Sequence, residues 1–187
     1  TLRRSSAASD VYKRQSNNIA YGHDAQAHGN HSNNISFGTA AESDGTNGIA
    51  FGANSYSNGV NALAFGASSK AAGERVISLG SGSQTDGVNA VALGAGSSAI
   101  GNRVMGLGTG SSASGSDAAA LGAGATASGN QAIDIGDNAE ANGVGVIAIG
   151  SGAKALGYNT NGMAIGTSAL ASGTDVTALG AGSTATG

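Results

Sequence analysis

Cysteine, proline and tryptophan are all absent from this chain of 187 residues. Without cysteine there is neither a disulfide framework nor a thiolate metal site. Without proline, and with glycine off the every-third-residue pattern, a collagen helix is excluded. Large apolar residues are scarce, since Leu, Ile, Val and Phe together number 31. That scarcity marks a disordered chain when charge is also high. Here only 10% of residues are charged and the formal net charge is −3, so disorder does not follow. No apolar run approaches the length of a membrane span, and no apolar stretch near Thr1 suggests a secretion signal.

What the chain has instead is glycine, 34 residues of it, and most of it is in register. From Gly22 to Gly187 a glycine recurs every seven residues, apart from two steps of nine, Gly29 to Gly38 and Gly157 to Gly166. Alternate heptads differ, so the true period is fourteen. One half ends large-small-large-Gly, as in Ile49-Ala50-Phe51-Gly52 and Val91-Ala92-Leu93-Gly94. The other reads small-x-small-x-Gly, as in Ala139-Glu140-Ala141-Asn142-Gly143. Twelve such units fill residues 16–187.

Period-two alternation marks a short strand with one buried face. Heptads bounded by glycine are too short for helices. The expected fold is all-β, a parallel β-solenoid of twelve 14-residue coils with two short strands per coil and glycine at the corners. Stacked about 4.8 Å apart, the coils make a rod roughly 55–60 Å long. The large pairs, such as Leu63 with Phe65 and Ile133 with Ile135, are expected to face inward. They would oppose the small residues of the second strand, such as Ala125 and Ala127. The single residue between each large pair then points outward. It includes Ala50, Ala64, Ala92, Ala120, Asp134, Ala148, Ala164 and Ala178. A row kept that small on an outer surface suggests close packing of another backbone. Two large side chains per coil also fall short of offsetting the entropy of fourteen ordered residues. A homo-oligomer burying this row is expected; if the row lined a threefold axis, three Asp134 carboxylates would meet there.

The repeats resemble the YadA-like head repeats of trimeric autotransporter adhesins of Gram-negative bacteria. The family motif is close to Asn-Ser-Val-Ala-Ile-Gly followed by small residues and Gly. The matching stretches are Asn89-Ala90-Val91-Ala92-Leu93-Gly94, Asn161-Gly162-Met163-Ala164-Ile165-Gly166 and Asn47-Gly48-Ile49-Ala50-Phe51-Gly52. The resemblance implies a left-handed parallel β-roll in a side-by-side homotrimer. It also implies display on the bacterial surface by an outer-membrane anchor, with attachment to host matrix proteins or cell surfaces, self-association and a role in virulence. The family's neck, stalk and anchor barrel are not represented, so contact with a membrane is expected only through such an anchor. Asp134 and Gly106 depart from the small Ala or Ser of the motif.

Residues 1–15 lie outside the repeat. They hold Arg3, Arg4, Lys13 and Arg14, against a single acid, Asp10. The run Asp10-Val11-Tyr12-Lys13-Arg14-Gln15 resembles a translated adapter scar, and a disordered tail is the second reading. No nucleic-acid partner is expected from it.

No chemistry-bearing constellation stands out. Gly-x-Gly-x-x-Ala recurs at Gly94–Ala99, Gly122–Ala127 and elsewhere, but no helix follows it, so it is repeat geometry rather than a dinucleotide site. His23, His28 and His31 read as solvated, and Asp137 and Glu140 lack the spacing of a Ca²⁺-binding solenoid. No nucleophile elbow, acid pair or pocket suggests an enzyme, and no cofactor or metal is expected. Ligand contacts are expected where the regular surface is interrupted: Tyr56, Leu156 and Leu170 on the outer places of the second strand, and His31, Asn33, Tyr158 and Asn159 at the two insertions. A phage tail-fibre or other trimeric shaft segment could use the same repeat. An ice-binding solenoid would need an unbroken Thr ladder, which Tyr56, Lys70, Glu140 and Leu170 interrupt.

Overall fold

The computed structural model describes residues 17–29, 32–157 and 161–187. All regular structure among them is β, in two parallel sheets of twelve strands each. The chain alternates between the sheets, so each coil gives one strand to each. First-sheet strands run from Ile19–Tyr21 to Thr177–Leu179, and second-sheet strands from Gln26–His28 to Thr184–Thr186. Register follows the fourteen-residue period, with Ile35 opposite Ile49 and Phe37 opposite Phe51. At the two longer steps it jumps by sixteen, pairing Ile19 with Ile35 and Ile147 with Met163. The pairing therefore resumes in the same alignment after each longer step. The twelve-coil parallel solenoid read from the glycine period is the observed fold. Residues 1–15, His31, Tyr158 and Asn159 lie outside the described residues.

Glycine turns the corners because nothing larger fits. A Cβ on Gly59, at φ +151°, would lie 1.8 Å from the carbonyl oxygen of Gly73 in the next coil. The intervening corner residues adopt the left-handed conformation, and many are not glycine: Asn47, Asn54, Asn61, Arg75, Asn89 and Arg103 all have φ of 55–56°. Asn is the residue most at ease there after Gly. The arginines accept the strain where a side-chain partner waits one coil along.

The core inverts the expectation drawn from the alternation. The small residue of each first strand is the buried one, and the large residues point out. Ala50 is 0% exposed, whereas its neighbours Ile49 and Phe51 are 36% and 39% exposed. The proposed interface row of Ala50, Ala64, Ala92, Ala120, Asp134, Ala148, Ala164 and Ala178 is enclosed within its own chain, each residue at 3% exposure or less. It cannot line a contact between chains. The physical reason is thickness. A coil closed in two heptads leaves little space between its sheets, and both sheets fill it with small side chains. The second sheet supplies Ser43, Ser57, Ala71, Thr85 and Ala99 to the same interior. Val76, Val104 and Val146 are the largest apolar side chains fully buried there.

Several polar interior positions close on the backbone. Ser55, Ser69, Ser83 and Ser97 each donate Oγ–H to the carbonyl three residues earlier, at 2.8 Å. Asn34 fills the space that Gly48 leaves open. Its Oδ1 accepts from the Gly48 N–H at 2.7 Å, and its Nδ2 donates to the Gly45 carbonyl at 2.9 Å.

Candidate functional site

The most distinctive surface is the outer face of the first sheet. Two columns of outward side chains run along it, flanking the buried small column. One begins Ile19, Ile35, Ile49, and the other Tyr21, Phe37, Phe51, Phe65, Leu79. Among the described residues, fourteen of the seventeen exposed large hydrophobic side chains lie on this face. Period-two alternation puts them there, and the in-register ladder stacks like upon like. Tyr21, Phe37, Phe51 and Phe65 form a continuous ring stack with centroids 4.7–4.9 Å apart and planes within 15° of parallel. A contiguous apolar band of this size on one chain marks an interaction surface.

The outer face of the second sheet is polar and irregular. Tyr56 is half-buried, and its hydroxyl accepts from Asn58 Nδ2 at 2.8 Å. Leu156 and Leu170 are also half-buried and sit on adjacent strands, Lys154–Leu156 and Leu170–Ser172. Register sets them diagonally, with Lys154 opposite Leu170 and Leu156 opposite Ser172. Lys154 reaches back to Glu140 at 3.2 Å. Asn33 stands on a corner instead, many coils from the two leucines. The structure therefore does not gather Tyr56, Asn33, Leu156 and Leu170 into one patch.

Asn33 belongs to a ladder that the sequence reading missed. Asn17 Nδ2 donates to Asn33 Oδ1 at 3.3 Å, Asn33 to Asn47 at 3.1 Å, and Asn47 to Asn61 at 3.2 Å. Further along the same corner, Arg75 Nε donates to Asn89 Oδ1 at 2.7 Å. Arg103 then forks onto both oxygens of Asp117, at 2.5 and 2.7 Å. That hydrogen bond, with the guanidinium charge, holds the Asp117 carboxyl below its ordinary range. The fourteen-residue spacing of polar residues at one repeat position was the available signal.

Asp134 occupies the small position of the ninth coil and is fully buried. It points into its own coil, not toward an axis shared with other chains, so a meeting of three carboxylates is ruled out by enclosure. Oδ2 accepts the Thr126 N–H at 2.5 Å, and Oδ1 has no partner. Burial pushes its pKa up to about 6, against the partial offset of the Thr126 hydrogen bond and with a further push from Glu140.

Other candidates stay dispersed. His23 pairs with Asp24 at 2.8 Å and His28 with Gln26 at 2.8 Å, all four exposed. Among the described residues no cluster of three or more His, Asp or Glu could hold a metal ion. No helix among them is long and apolar enough to cross a membrane. The Gly-x-Gly stretches are turns, with Gly96 and Gly110 at φ of 64–65°.

Comparison with known families matches this geometry. The model of the YadA head domain repeat fits residues 35–55, 57–83, 87–103, 105–125, 113–133, 127–153 and 158–183. Comparison with curated proteins finds no match.

Proposed function

Since the chain belongs to the YadA head domain family, that of the trimeric autotransporter adhesins, we propose that it is a non-catalytic adhesin head. In this reading it assembles as a side-by-side homotrimer at the bacterial surface and attaches to host matrix proteins or cell surfaces. The observation that carries the reading is the exposed apolar face. Fourteen large side chains stand on it, most of them about two-fifths exposed. They offer on the order of 900–1,000 Å² per chain, the area of a standard stable interface. Each chain in a closed ring would bury this face around a common axis, with the polar second sheet outward. Side chains stacked like upon like along the rod favour unstaggered neighbours, because aromatic layers then meet aromatic layers. Attachment would come from many weak contacts repeated on three chains, so that avidity replaces a pocket.

The test is the solution mass of the whole chain by light scattering after size exclusion. The protomer mass is 17.6 kDa, and three times that mass supports the reading. A folded monomer at micromolar concentration overturns the trimer. Absent binding to immobilised matrix proteins and cultured cells by an intact trimer overturns the adhesive role separately.

A further inference from the structure

We propose that Asp134 is a proton-operated weak point in the roll, closing the ninth coil when its carboxyl is protonated and loosening it when the carboxylate forms. This inference stands apart from the adhesin reading and needs no partner. It rests on placement. The equivalent position is Ala in eight coils, Ser in two and Gly in one. Among the described residues, only the ninth coil puts an ionisable group between the two sheets.

Among the described residues, none gives the charge a counter-ion. On the neighbouring first-sheet strands, Ala120 and Ala148 stand at the same position, both buried. Across the interior, the second-sheet segments contribute Ala125, Ala127, Ala139 and Ala141, also buried. The nearest charged groups face outward. Glu140 on the strand Glu140–Asn142 adds repulsion, and it is already paired with Lys154 at 3.2 Å. Asp137 and Asn138 lie at the exposed corner between Asp134 and that strand, bonded to each other at 2.9 Å. One backbone N–H, from Thr126, meets Oδ2, and Oδ1 meets nothing. A buried carboxylate with one free oxygen is costly, whereas the neutral acid carries no charge to solvate.

The direction follows from linkage. A carboxyl held near 6 in the fold and near 3.8 when opened binds its proton more tightly in the closed coil. The closing contribution is complete below the lower value. It is lost as pH rises through the upper one. Between about pH 5 and about pH 7.5 the closed-to-open ratio of this coil should fall about tenfold. The effect should stay local, because each coil touches only its two neighbours. Ile133 and Ile135 flank Asp134 on the apolar face, so a loosened coil also disturbs that face at one level.

Hydrogen–deuterium exchange on the full chain tests this, with rates corrected for intrinsic pH dependence. Wild type, Asp134→Ala and Asp134→Asn are compared at about pH 5 and about pH 7.5. In wild type, amides of residues 119–149 should lose about tenfold protection at the higher pH, while distant coils keep theirs. Asp134→Ala carries the residue of its sibling coils and should hold high protection at both values. Asp134→Asn should also remove the pH dependence, at a lower level set by its unpaired amide. A carboxyl-carbon NMR titration of Asp134 gives an independent reading, with a midpoint near 6 expected. The proposal is overturned if Asp134→Ala keeps the wild-type pH difference, if protection changes evenly along the rod, or if Asp134 titrates near 4.

Discussion

Ala92 and Leu93 are neighbours in one strand, yet their substitutions should rank opposite to residue size. Ala92 is 0% exposed between the sheets, while Leu93 is 43% exposed on the outer face. In Ala92→Leu the added carbons must enter a space bounded by Ser78 and Gly106 in the neighbouring coils. The strand cannot bow away from the opposite sheet without straining the ladder bonds to its neighbouring coils, such as Gly94 N–H to the Leu79 carbonyl at 2.8 Å. Overpacking costs about 1–3 kcal/mol where a core can yield, and this one yields little, so about 3 kcal/mol or more is expected. In Leu93→Thr the lost area is partly open to water and leaves no sealed cavity. Threonine keeps the strand preference, and the cost should be about 1 kcal/mol. Denaturant unfolding at several protomer concentrations, extrapolated to the dilute limit, separates folding from association. If the large residues faced inward instead, Leu93→Thr would leave a cavity and a stranded hydroxyl, costing about 3–5 kcal/mol. Ala92→Leu would then be nearly neutral. That reversed order would refute the assignment of inside and outside.

The same geometry sets the outcome of other substitutions. Gly59→Ala places a Cβ 1.8 Å from the Gly73 oxygen and should prevent the local coils from closing. Gly96→Ala has open space around its Cβ and a φ of +64°, so it should cost only about 1 kcal/mol; equal melting temperatures for the two variants would contradict the corner geometry. Phe51→Lys sets a charge within the ring stack, and light scattering should show the assembly dissociating while circular dichroism still reports β-structure. Arg103→Ala removes an exposed fork onto Asp117. It should shift the melting temperature slightly in low salt and not at all in high salt. Because Asp117 is held below its usual range, any stability from this pair persists at neutral pH and fades only under strongly acid conditions.

Period and register are legible in the sequence itself. The glycine column fixed the corners, because only glycine lets Gly59 approach Gly73 across a coil. The steps from Gly29 to Gly38 and from Gly157 to Gly166 located the two places where the register lengthens to sixteen. Alternation could not say which face was inside. Ile49-Ala50-Phe51 divides its side chains between two faces whichever way it is turned, and the rule that large residues go inside chose wrongly. Deciding it needs the depth of the cavity, which depends on how close two seven-residue half-turns bring the sheets. The second strand carried that information. Its inward residues, such as Ala125 and Ala127, are small, and a coil small on one side need not be large on the other. The Asn and Arg corner ladder was visible as a fourteen-residue recurrence but lacked the alternation that drew attention elsewhere. The unpaired oxygen of Asp134 depends on where a single backbone N–H lies, which no repeat pattern records.

A small interior and a large exterior have one cause and one consequence. Ala and Ser between the sheets let the coil close in fourteen residues, and they also deprive it of the burial that stabilises an ordinary domain. Methyl groups and hydroxyls contribute little per residue, and several of the hydroxyls are already committed, as Ser83 Oγ is to the Gly80 carbonyl at 2.8 Å. The larger side chains have been moved to one outer face, where Phe37, Phe51 and Phe65 cover one another only along the rod. Stacking shields their flat faces and leaves their edges in water. In the proposed trimer those edges meet the same columns on two other chains, and the apolar core sits between protomers rather than within one. Folding and assembly are then coupled, and stability rises with protomer concentration. A melting temperature independent of concentration over a hundredfold dilution would mean that the single coil stack suffices, and the argument that the outer columns are the missing core would fail.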